Sequence, residues 1–449
     1  MGILDTLRTG ASGLFAASAG LDATSHNIAR ARLPGATRRS LDVSTQRALR
    51  QGLVHVGQGV QVDGIVRDDP GLLGVQRIDA AGEAASARTR RDGLSFIAPL
   101  VDETVSSGPR STLTAFFESL TVATTDPGDP NLRTAVLQAG EAFATSVVRA
   151  SSGFDDAMDQ FTGRIEAGVA PVNEMLAAVA SFNAEITGVH DGVASPDLAD
   201  ERDRVVRELA ELAGFEVRFE ANDTATLYLD DHIVVQGSTY RTVTYEEPAT
   251  FSLAIDGGTI AVDPGGALQG YVEAYDAVRG YKADLDAFAE QFADEVAATQ
   301  ALGFTAGGAT GGPLFTFDAQ DPAGSFSLAA GLTADDLAFA GNAGAAAGDG
   351  DNLARLVLLQ NQQFVGGRTP GDALSSITNQ VALDLAEAER VTDRTDAVLL
   401  DLDQLAENLH GIDVDEEATQ LVAYQTAYQA SARVVSTAQS LVSTLLEIT

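Results

Sequence analysis

The two ends of this 449-residue chain carry one pattern, in which apolar residues recur at alternating intervals of three and four over about four heptads. Spacing that averages 3.5 residues keeps a stripe on one side of a helix, as in coiled coils. The N-terminal seam contains Leu4, Leu7, Leu14, Leu21 and Ile28, and the C-terminal seam contains Leu421, Tyr424, Tyr428, Val435, Val442 and Leu445. We predict that the first and last helices pair, although the spacing alone also fits one more core helix of a bundle.

The charges of the two ends favour this pairing. Residues 1–50 contain seven Arg and three Asp, whereas residues 400–449 contain one Arg and eight acidic side chains. Opposite net charges attract the two segments to each other. Because about ten sizeable apolar side chains must offset the entropy of ordering about fifty residues, the pair is marginal by itself. We therefore expect it to be an assembly element whose outer faces are covered by neighbouring subunits.

Between the two seams, the apolar residues first recur with a helical period, then alternate with polar residues, and then recur with a helical period again. Pro130 follows Asp129, a favoured N-cap residue, and Gly214 ends the first helical region. From Phe215 the apolar period becomes two, which is typical of strands. Glycines 57 and 59 in "VHVGQGVQVDGIVRDD" predict an earlier β-hairpin.

The predicted fold class is therefore mainly α with a small β domain. It consists of paired N- and C-terminal coiled-coil helices, a long helical bundle and an inserted antiparallel β unit. The predicted divisions are 1–40 with 411–449 as a terminal coiled-coil polymerisation domain, 41–74 as a β-hairpin or extended segment, 75–213 with 266–302 and 352–410 as the helical bundle, 214–265 as the small β domain, and 303–351 as a Gly- and Ala-rich loop region with short strands.

Composition argues against catalysis, metal binding and nucleic-acid binding. The formal net charge is −36, so the chain lacks the basic surface that phosphate neutralisation requires, and the same charge disfavours anionic membranes. This acidity fits either a saline medium or an ordinary acidic proteome. The chain has no Cys, and its five His have no metal-ligand spacing. We expect no catalytic residue, no cofactor and no metal.

Two further observations concern the surface and export. The cluster "DLADERDR", which contains Arg202 and Arg204, is interpreted as a solvated helix face with intrahelical ion pairs.

The N-terminus lacks a basic start followed by an apolar block, and no run has the ~18 apolar residues of a membrane span. We expect a cytosolic chain unless it leaves by a route that cleaves no signal.

Both ends also resemble a known family. The stretch "GLFAASAGLDATSHNIARARLPGATRRSL" is similar to the N-terminal signature of flagellar rod, hook and hook-associated proteins, and "DEEATQLVAYQTAYQASARVVSTAQSLVSTLL" to their C-terminal signature. The matching motif residues are Ser25, Asn27, Ile28, Ala29, Pro34 and Gly35, with Gln425, Ala427, Gln429, Ala430, Ser431, Ala432 and Arg433.

The middle of the chain narrows this resemblance to one branch of the family. "FFESLTVATTDPGDPNLRTAVLQAGEAFA", "DLADERDRVVRELAELAGFEV" and "GGALQGYVEAYDAVRGYKADLDAFAEQFADEVAATQALGF" resemble segments of the flagellar hook-associated protein 1 family, the hook–filament junction proteins. The resemblance covers most of the chain in the right order. It implies a structural axial subunit of the bacterial flagellum.

The resemblance also implies partners and a location. The partners are further copies in a ring or helical layer, the hook protein, the second hook–filament junction protein, the type III export apparatus and a cytosolic chaperone that binds the C-terminal helix. The location is extracellular, at the hook–filament junction, after a transient cytoplasmic stage. Left open are a hook or distal-rod protein, an axial protein that bears an enzyme domain, and a helical adaptor unrelated to flagella.

Overall fold

A computed structural model describes residues 3–32, 37–51, 54–68, 71–100, 108–188, 196–246, 250–255, 258–344 and 348–448. The helices are α1 (Ile3–Arg30), α2 (Gly71–Ile97), α3 (Pro109–Ala123), α4 (Pro130–Gly188), α5 (Pro196–Ala213), α6 (Gly266–Ala301), α7 (Asp351–Leu358), α8 (Pro370–His410) and α9 (Val414–Ile448). The predicted fold class, mainly α with a small antiparallel β unit, is confirmed.

Within the described ranges, the strands fall into five small antiparallel sheets. They are β1 (Arg39–Thr45), β2 (Leu49–Gln51), β3 (Val54–Val56), β4 (Val60–Arg67), β5 (Glu216–Phe219), β6 (Ala225–Leu229), β7 (His232–Gln236), β8 (Thr239–Tyr240), β9 (Val243–Glu246), β10 (Thr250–Ile255), β11 (Gly258–Ala261), β12 (Phe315–Thr316) and β13 (Ser327–Leu328). The sheet orders are β1-β4, β2-β3, β5-β6-β7-β8, β11-β10-β9 and β12-β13.

The helix ends follow from local chemistry. Helix α4 starts at Pro130, and the carboxylate of Asp129 accepts a hydrogen bond from the backbone N–H of Asn131 at 2.8 Å. Helix α5 is followed by Gly214, which has a φ of +57°. A Cβ at Gly214 would lie 2.6 Å from the Cα of Gly265, so the close approach of the two backbones also requires glycine there.

The core of the helical bundle is rich in phenylalanine. Phe143 on α4 and Phe292 on α6 are fully buried, and their ring centroids are 5.3 Å apart. The Gly- and Ala-rich region after α6 contributes to the same core, since Phe315 and Phe326 stack at 4.9 Å. This region contains the short strands β12 and β13. Its part in the core was not predicted.

A second core joins the β unit to the bundle. Val217, Leu227 and Val235 of the sheet pack with apolar residues of α4 and α5. The buried side chain of Asn183 on α4 acts as a backbone mimic for β6. Its amide donates to the carbonyl of Ala225 at 2.8 Å, and its oxygen accepts from the N–H of Ala225 at 2.9 Å. The β unit is thus fixed to the longest helix.

The predicted hairpin at glycines 57 and 59 was wrong. Strand β4 pairs with β1, where Val43 lies opposite Val62, and β3 pairs with β2, so the two-stranded ribbon starts near residue 39. The alternating segment Arg39–Thr45 gives β4 a longer partner than Val54–Val56 could. Helix α2 begins at Gly71, inside the predicted extended segment 41–74. Pro34 and Gly35 lie outside the described residues.

Replacing Phe292 by Ala should lower the free energy of unfolding by about 3–5 kcal/mol, because the variant leaves a cavity among the buried rings. Chemical denaturation of the purified chain measures this value. Val122→Ala, which truncates a half-exposed side chain on α3, is the control and should change little. A loss below about 1 kcal/mol for Phe292→Ala would contradict this description of the core.

Candidate functional site: the paired terminal helices

Helices α1 and α9 lie side by side and run antiparallel. Gly10 of α1 lies against Val435, Gly13 against Ser431, and Gly20 against Tyr424, so the position on α9 falls as the position on α1 rises. The first and last helices of the chain therefore meet within one molecule, as the two seams predicted.

The face of α1 that meets α9 is made of small residues. A Cβ at Gly13 would lie 2.8 Å from the Ser431 hydroxyl, and one at Gly20 would overlap the ring of Tyr424. Ala17, between them on the same face, is buried. The spacing of three and four is that of a coiled coil, but the missing side chains let the two backbones approach closely.

The predicted leucine seam of α1 lies one residue further along the helix than this glycine face. Leu7, Leu14, Leu21 and Ile28 are each only half-buried. The side chain of Leu4 lies outside the described residues. The structure therefore brings these side chains to the flank of the α1–α9 contact. Their assignment to an assembly seam stays a prediction.

On α9, the predicted seam residues divide between the contact and the surface. Tyr424 and Val435 face α1. Leu421 and Val442 are half-buried, and Tyr428 is exposed. The side chain of Leu445 lies outside the described residues.

The pair also carries large apolar side chains that are mostly exposed in one copy of the chain. Phe15 on α1 is 64% exposed, and Val422 on α9 is 59% exposed. Val434 and Leu441 line a shallow apolar groove of about 320 Å³ beside the start of α1. An apolar groove of this kind, with further exposed apolar residues on the same helix pair, marks a contact surface.

A buried asparagine closes one end of the pair. The Asn27 amide donates to the carbonyl of Arg39 at 2.9 Å and to the carboxylate of Glu417 at 3.0 Å, and its oxygen accepts from the N–H of Arg39 at 3.0 Å. Glu417 also accepts from Arg38 at 2.8 Å. One side chain thereby joins α1, the start of β1 and the first turn of α9.

Ion pairs connect this end of the pair to the bundle. Arg39 contacts Asp197 at 2.5 Å, Arg30 contacts Asp200 at 2.7 Å, and Arg67 of β4 contacts Asp203 at 2.5 Å. The hydrogen bond from Arg39 holds the pKa of Asp197 below its ordinary value. Although burial opposes it, the attraction of Asp203 and its hydrogen bond raise the pKa of Arg67.

The interpretation of "DLADERDR" as a solvated face with intrahelical ion pairs holds for Glu201 and Arg204 and is wrong for Asp200, Arg202 and Asp203, whose side chains are largely buried. Asp197, Asp200 and Asp203 face arginines of the N-terminal segment, and Arg202 is fully buried with its guanidinium 5.0 Å from the Phe219 ring centroid. Arg204 makes the expected intrahelical pairs at spacings of three and four, with glutamates 201 and 208. The arginines of the N-terminal segment that pair with the three aspartates lie more than a hundred residues away, so local spacing could not indicate them.

The residues of the two terminal motifs have different surroundings. Asn27 is buried, Ile28 is half-buried, and Ser25 and Ala29 are exposed. On α9, Ser431 and Ala432 are half-buried, while five residues are exposed: Gln425, Ala427, Gln429, Ala430 and Arg433. Their role as a functional set stays a prediction.

Comparison with known proteins identifies the family. The model of the flagellar hook-associated protein FlgK helical domain matches residues 96–315, and that of the flagellar basal body rod FlgEFG protein C-terminal region matches residues 409–448. Flagellar hook-associated protein 1 of Bacillus subtilis is 24% identical over 96% of this chain and 95% of that protein. The chain belongs to the flagellar hook-associated protein 1 family.

Two other family members agree with this assignment. Flagellar hook-associated protein 1 of Salmonella typhimurium is 30% identical over 51% of this chain and 42% of that protein. The structure of the flagellar hook junction protein FlgK from Burkholderia pseudomallei superposes with a TM-score of 0.67 at 15% identity. It covers 75% of this chain and 100% of that one, which shows a shared fold.

Two other kinds of site are absent from the described part of the chain. It contains no group of three or more His, Cys, Asp or Glu side chains placed to hold a metal ion. None of its helices combines the length and the hydropathy needed to cross a membrane. The terminal pair and its ion pairs remain the candidate site.

Replacing Asn27 by Ala should loosen the terminal pair, because the buried N–H of Arg39 and the carboxylate of Glu417 lose a partner. A buried polar group left unpaired costs about 1–3 kcal/mol, so protease cleavage within α1 and α9 should become roughly 5- to 150-fold faster. Cleavage is followed by mass spectrometry. Ser25→Ala, on the exposed side of the same helix, is the matched control, and equal rates for both variants would refute the role of Asn27.

Proposed function

We propose that this chain is a structural axial subunit of the bacterial flagellum, located between the hook and the filament. The observation that carries the proposal is the terminal pair, whose apolar outer residues Phe15 and Val422 are more than half exposed. Family membership supplies the place, because the relatives matched over the chain are flagellar hook-associated proteins. Further copies would cover the exposed residues and make the pair rigid.

The proposed partners follow from that position. Head-to-tail contacts between identical subunits close into a ring or continue as a helical layer. We place the hook protein on one side of this layer and the second hook–filament junction protein on the other. The terminal pairs would line the inner tube, the bundle the next shell, and the β unit would face outward.

The proposed route to this position is the flagellar type III export apparatus, which reads a signal that is not cleaved. A cytosolic chaperone would bind α9 before export, over the segment Leu421–Leu445. The exposed side chains of Val422, Val434 and Leu441 support this, because an apolar helix that awaits its neighbours needs temporary cover. The final location would be outside the cell, after a transient cytoplasmic stage.

The alternatives receive less support. A hook or distal-rod role fits the C-terminal match alone, whereas the helical-domain match over residues 96–315 favours the hook-associated branch. The family is one of structural flagellar proteins, so we assign no catalytic role and no cofactor. Family membership also argues against a helical adaptor unrelated to flagella.

Cells that lack this gene should form hooks without filaments and release flagellin into the medium. Without the junction, exported flagellin has no surface on which to assemble. Electron microscopy of the cell surface and immunoblotting of the medium measure the two effects. Missing hooks would place the chain in the rod or the hook, and normal filaments would contradict the proposal.

Complementation of that strain tests the terminal pair. Val435→Asp places a carboxylate against Gly10 in the α1–α9 contact, so it should fail to restore filaments. Ser436→Asp adds the same charge at the next position, which is exposed, and should restore them. Full restoration by Val435→Asp would show that the pair is not needed for assembly.

A further inference from the structure

Phe15 is the most exposed large apolar side chain that the structure describes on the terminal pair. It is 64% exposed, compared with 59% for Val422 and 52% for Leu441. Gly13 and Ala17 face α9, and a residue midway between them lies on the opposite side of a helix with about 3.6 residues per turn. Phe15 therefore points away from α9. Exposed aromatic side chains anchor protein contacts when a partner offers a pocket.

The apolar groove beside the start of α1 is a pocket of this kind. It has a volume of about 320 Å³ and is lined by Thr6, Arg433, Val434, Thr437, Ala438 and Leu441. A cavity of about 150 Å³ already holds a benzene ring, so the groove has room for one phenylalanine side chain. The hydroxyl of Thr437 donates to the carbonyl of Arg433 at 2.8 Å, so it needs no polar occupant.

Phe15 does not reach this groove in its own copy. Gly13 lies opposite Ser431 in the antiparallel pair, so Phe15 lies opposite the α9 position near 429. The lining residues of the groove are centred on Thr437, about 12 Å further along the helix axis. Phe15 also faces the other way. The aromatic side chain and the groove can therefore meet between two copies but not within one.

Charges beside the two surfaces are complementary. Arg433, at the rim of the groove, is exposed and is the one basic residue among residues 400–449. Asp22 is exposed on α1 and follows Phe15 by seven residues, which make almost two helical turns, so both lie on the same side of the helix. Among the described residues, neither Asp22 nor Arg433 forms an ion pair.

The spacing of these groups fits two copies that point the same way. On α1, the step from Phe15 to Asp22 is about 10 Å, and on α9 the step from Leu441 back to Arg433 is about 12 Å. Because the two helices are antiparallel, both steps run in the same direction along the pair. When Phe15 of one copy lies beside Leu441 of the next, Asp22 therefore lies beside Arg433. In a copy that points the opposite way, the two charges would be about 22 Å apart.

We propose that Phe15 of one copy inserts into the groove of a second copy that points the same way, and that Asp22 pairs there with Arg433. The inference rests on the proposed self-assembly and deepens it by naming the contact between terminal pairs. The two surfaces are different, so the contact is heterologous, and its repetition gives a ring or a helical layer. The ion pair sets the polarity of neighbouring subunits, because the reversed orientation leaves both charges without a partner.

Charge reversal tests the ion pair in full-length chains expressed in cells that lack the native gene. Three quantities are measured for Asp22→Arg, Arg433→Asp and the double reversal: the urea midpoint of the purified monomer, the amount exported to the medium and the number of copies in isolated flagella. We expect each single reversal to reduce the copies in flagella at least about fivefold, because like charges then meet, and the double reversal to restore them. Urea midpoints and export should stay at the wild-type values, since both side chains are exposed and unpaired in one copy.

Replacement of Phe15 tests the aromatic side chain in the same assay. We expect Phe15→Ala to reduce the copies in flagella at least about fivefold, with partial recovery for Phe15→Leu and an unchanged urea midpoint for both. Val414→Ala truncates an exposed side chain at the start of α9, away from the groove, and is the matched control. A lower urea midpoint for Phe15→Ala would overturn the inference, because Phe15 would then already be packed within the monomer.

A thiol crosslink tests the register, because the native chain has no cysteine. Gly20 lies opposite Tyr424, so positions 22 and 433 of one copy are about 16 Å apart along the pair. Isolated flagella that contain the chain with Asp22→Cys and Arg433→Cys are treated with a short bifunctional thiol reagent. We expect dimers and higher oligomers from this chain and monomers from each single-cysteine variant. A dimer from Asp22→Cys alone would show a two-fold contact and overturn the inference.

The remaining outcomes separate this contact from the proposed function. Normal numbers of copies after either single reversal, or monomers alone after crosslinking, would overturn the contact and leave the proposed function intact. A loss of Arg433→Asp at export rather than in flagella would assign the groove to a cytosolic partner instead of a second copy. Absence of the wild-type chain from isolated flagella would refute the proposed function and this contact with it.

Discussion

The contact of α1 with α9 determines how the rest of this molecule is arranged. Because the two ends of the chain lie together, everything between Arg30 and Val414 must leave the pair and return to it. The contact depends on the absence of side chains at Gly13 and Gly20, which lets Ser431 and Tyr424 approach the α1 backbone. Dispersion attraction between the two backbones acts only over short distances. The contact between α1 and α9 is therefore narrow, and much of the apolar surface of the two helices lies outside this contact.

The second constraint is how the pair is connected to the bundle. The hydrogen bond from Asn27 to Glu417 fixes the angle between α1 and α9 at the end of the pair where the chain leaves α1. Arg39 donates its backbone N–H to Asn27 and forms an ion pair with Asp197 on α5, so it links the pair to the bundle. These groups are mostly buried, so the removal of one partner leaves another charge or amide without compensation. A load on the terminal pair is thus transmitted to the bundle through polar contacts with fixed geometry. This suits a subunit that holds two different assemblies together.

The sequence predicts the pairing and the order of helical and β regions, because both depend on periodicity. It does not predict the contacting face of α1, since Gly10, Gly13 and Gly20 repeat like a seam but do not count as hydrophobic. The ion pair of Arg39 with Asp197 spans 158 residues and leaves no local signal. Phe315 and Phe326 lie in a region without any period, so their burial could be known only from the fold.

Amide hydrogen exchange of α1 and α9 in the free subunit and in isolated flagella tests most directly whether assembly completes the terminal pair. If one copy leaves the pair partly uncovered, the amides of both helices should exchange at least a hundredfold faster in the free subunit. The buried turns of α4 around Phe143 should be slow in both states. Equally slow exchange of α1 and α9 in the free subunit would contradict this, because the pair would then be complete without its neighbours.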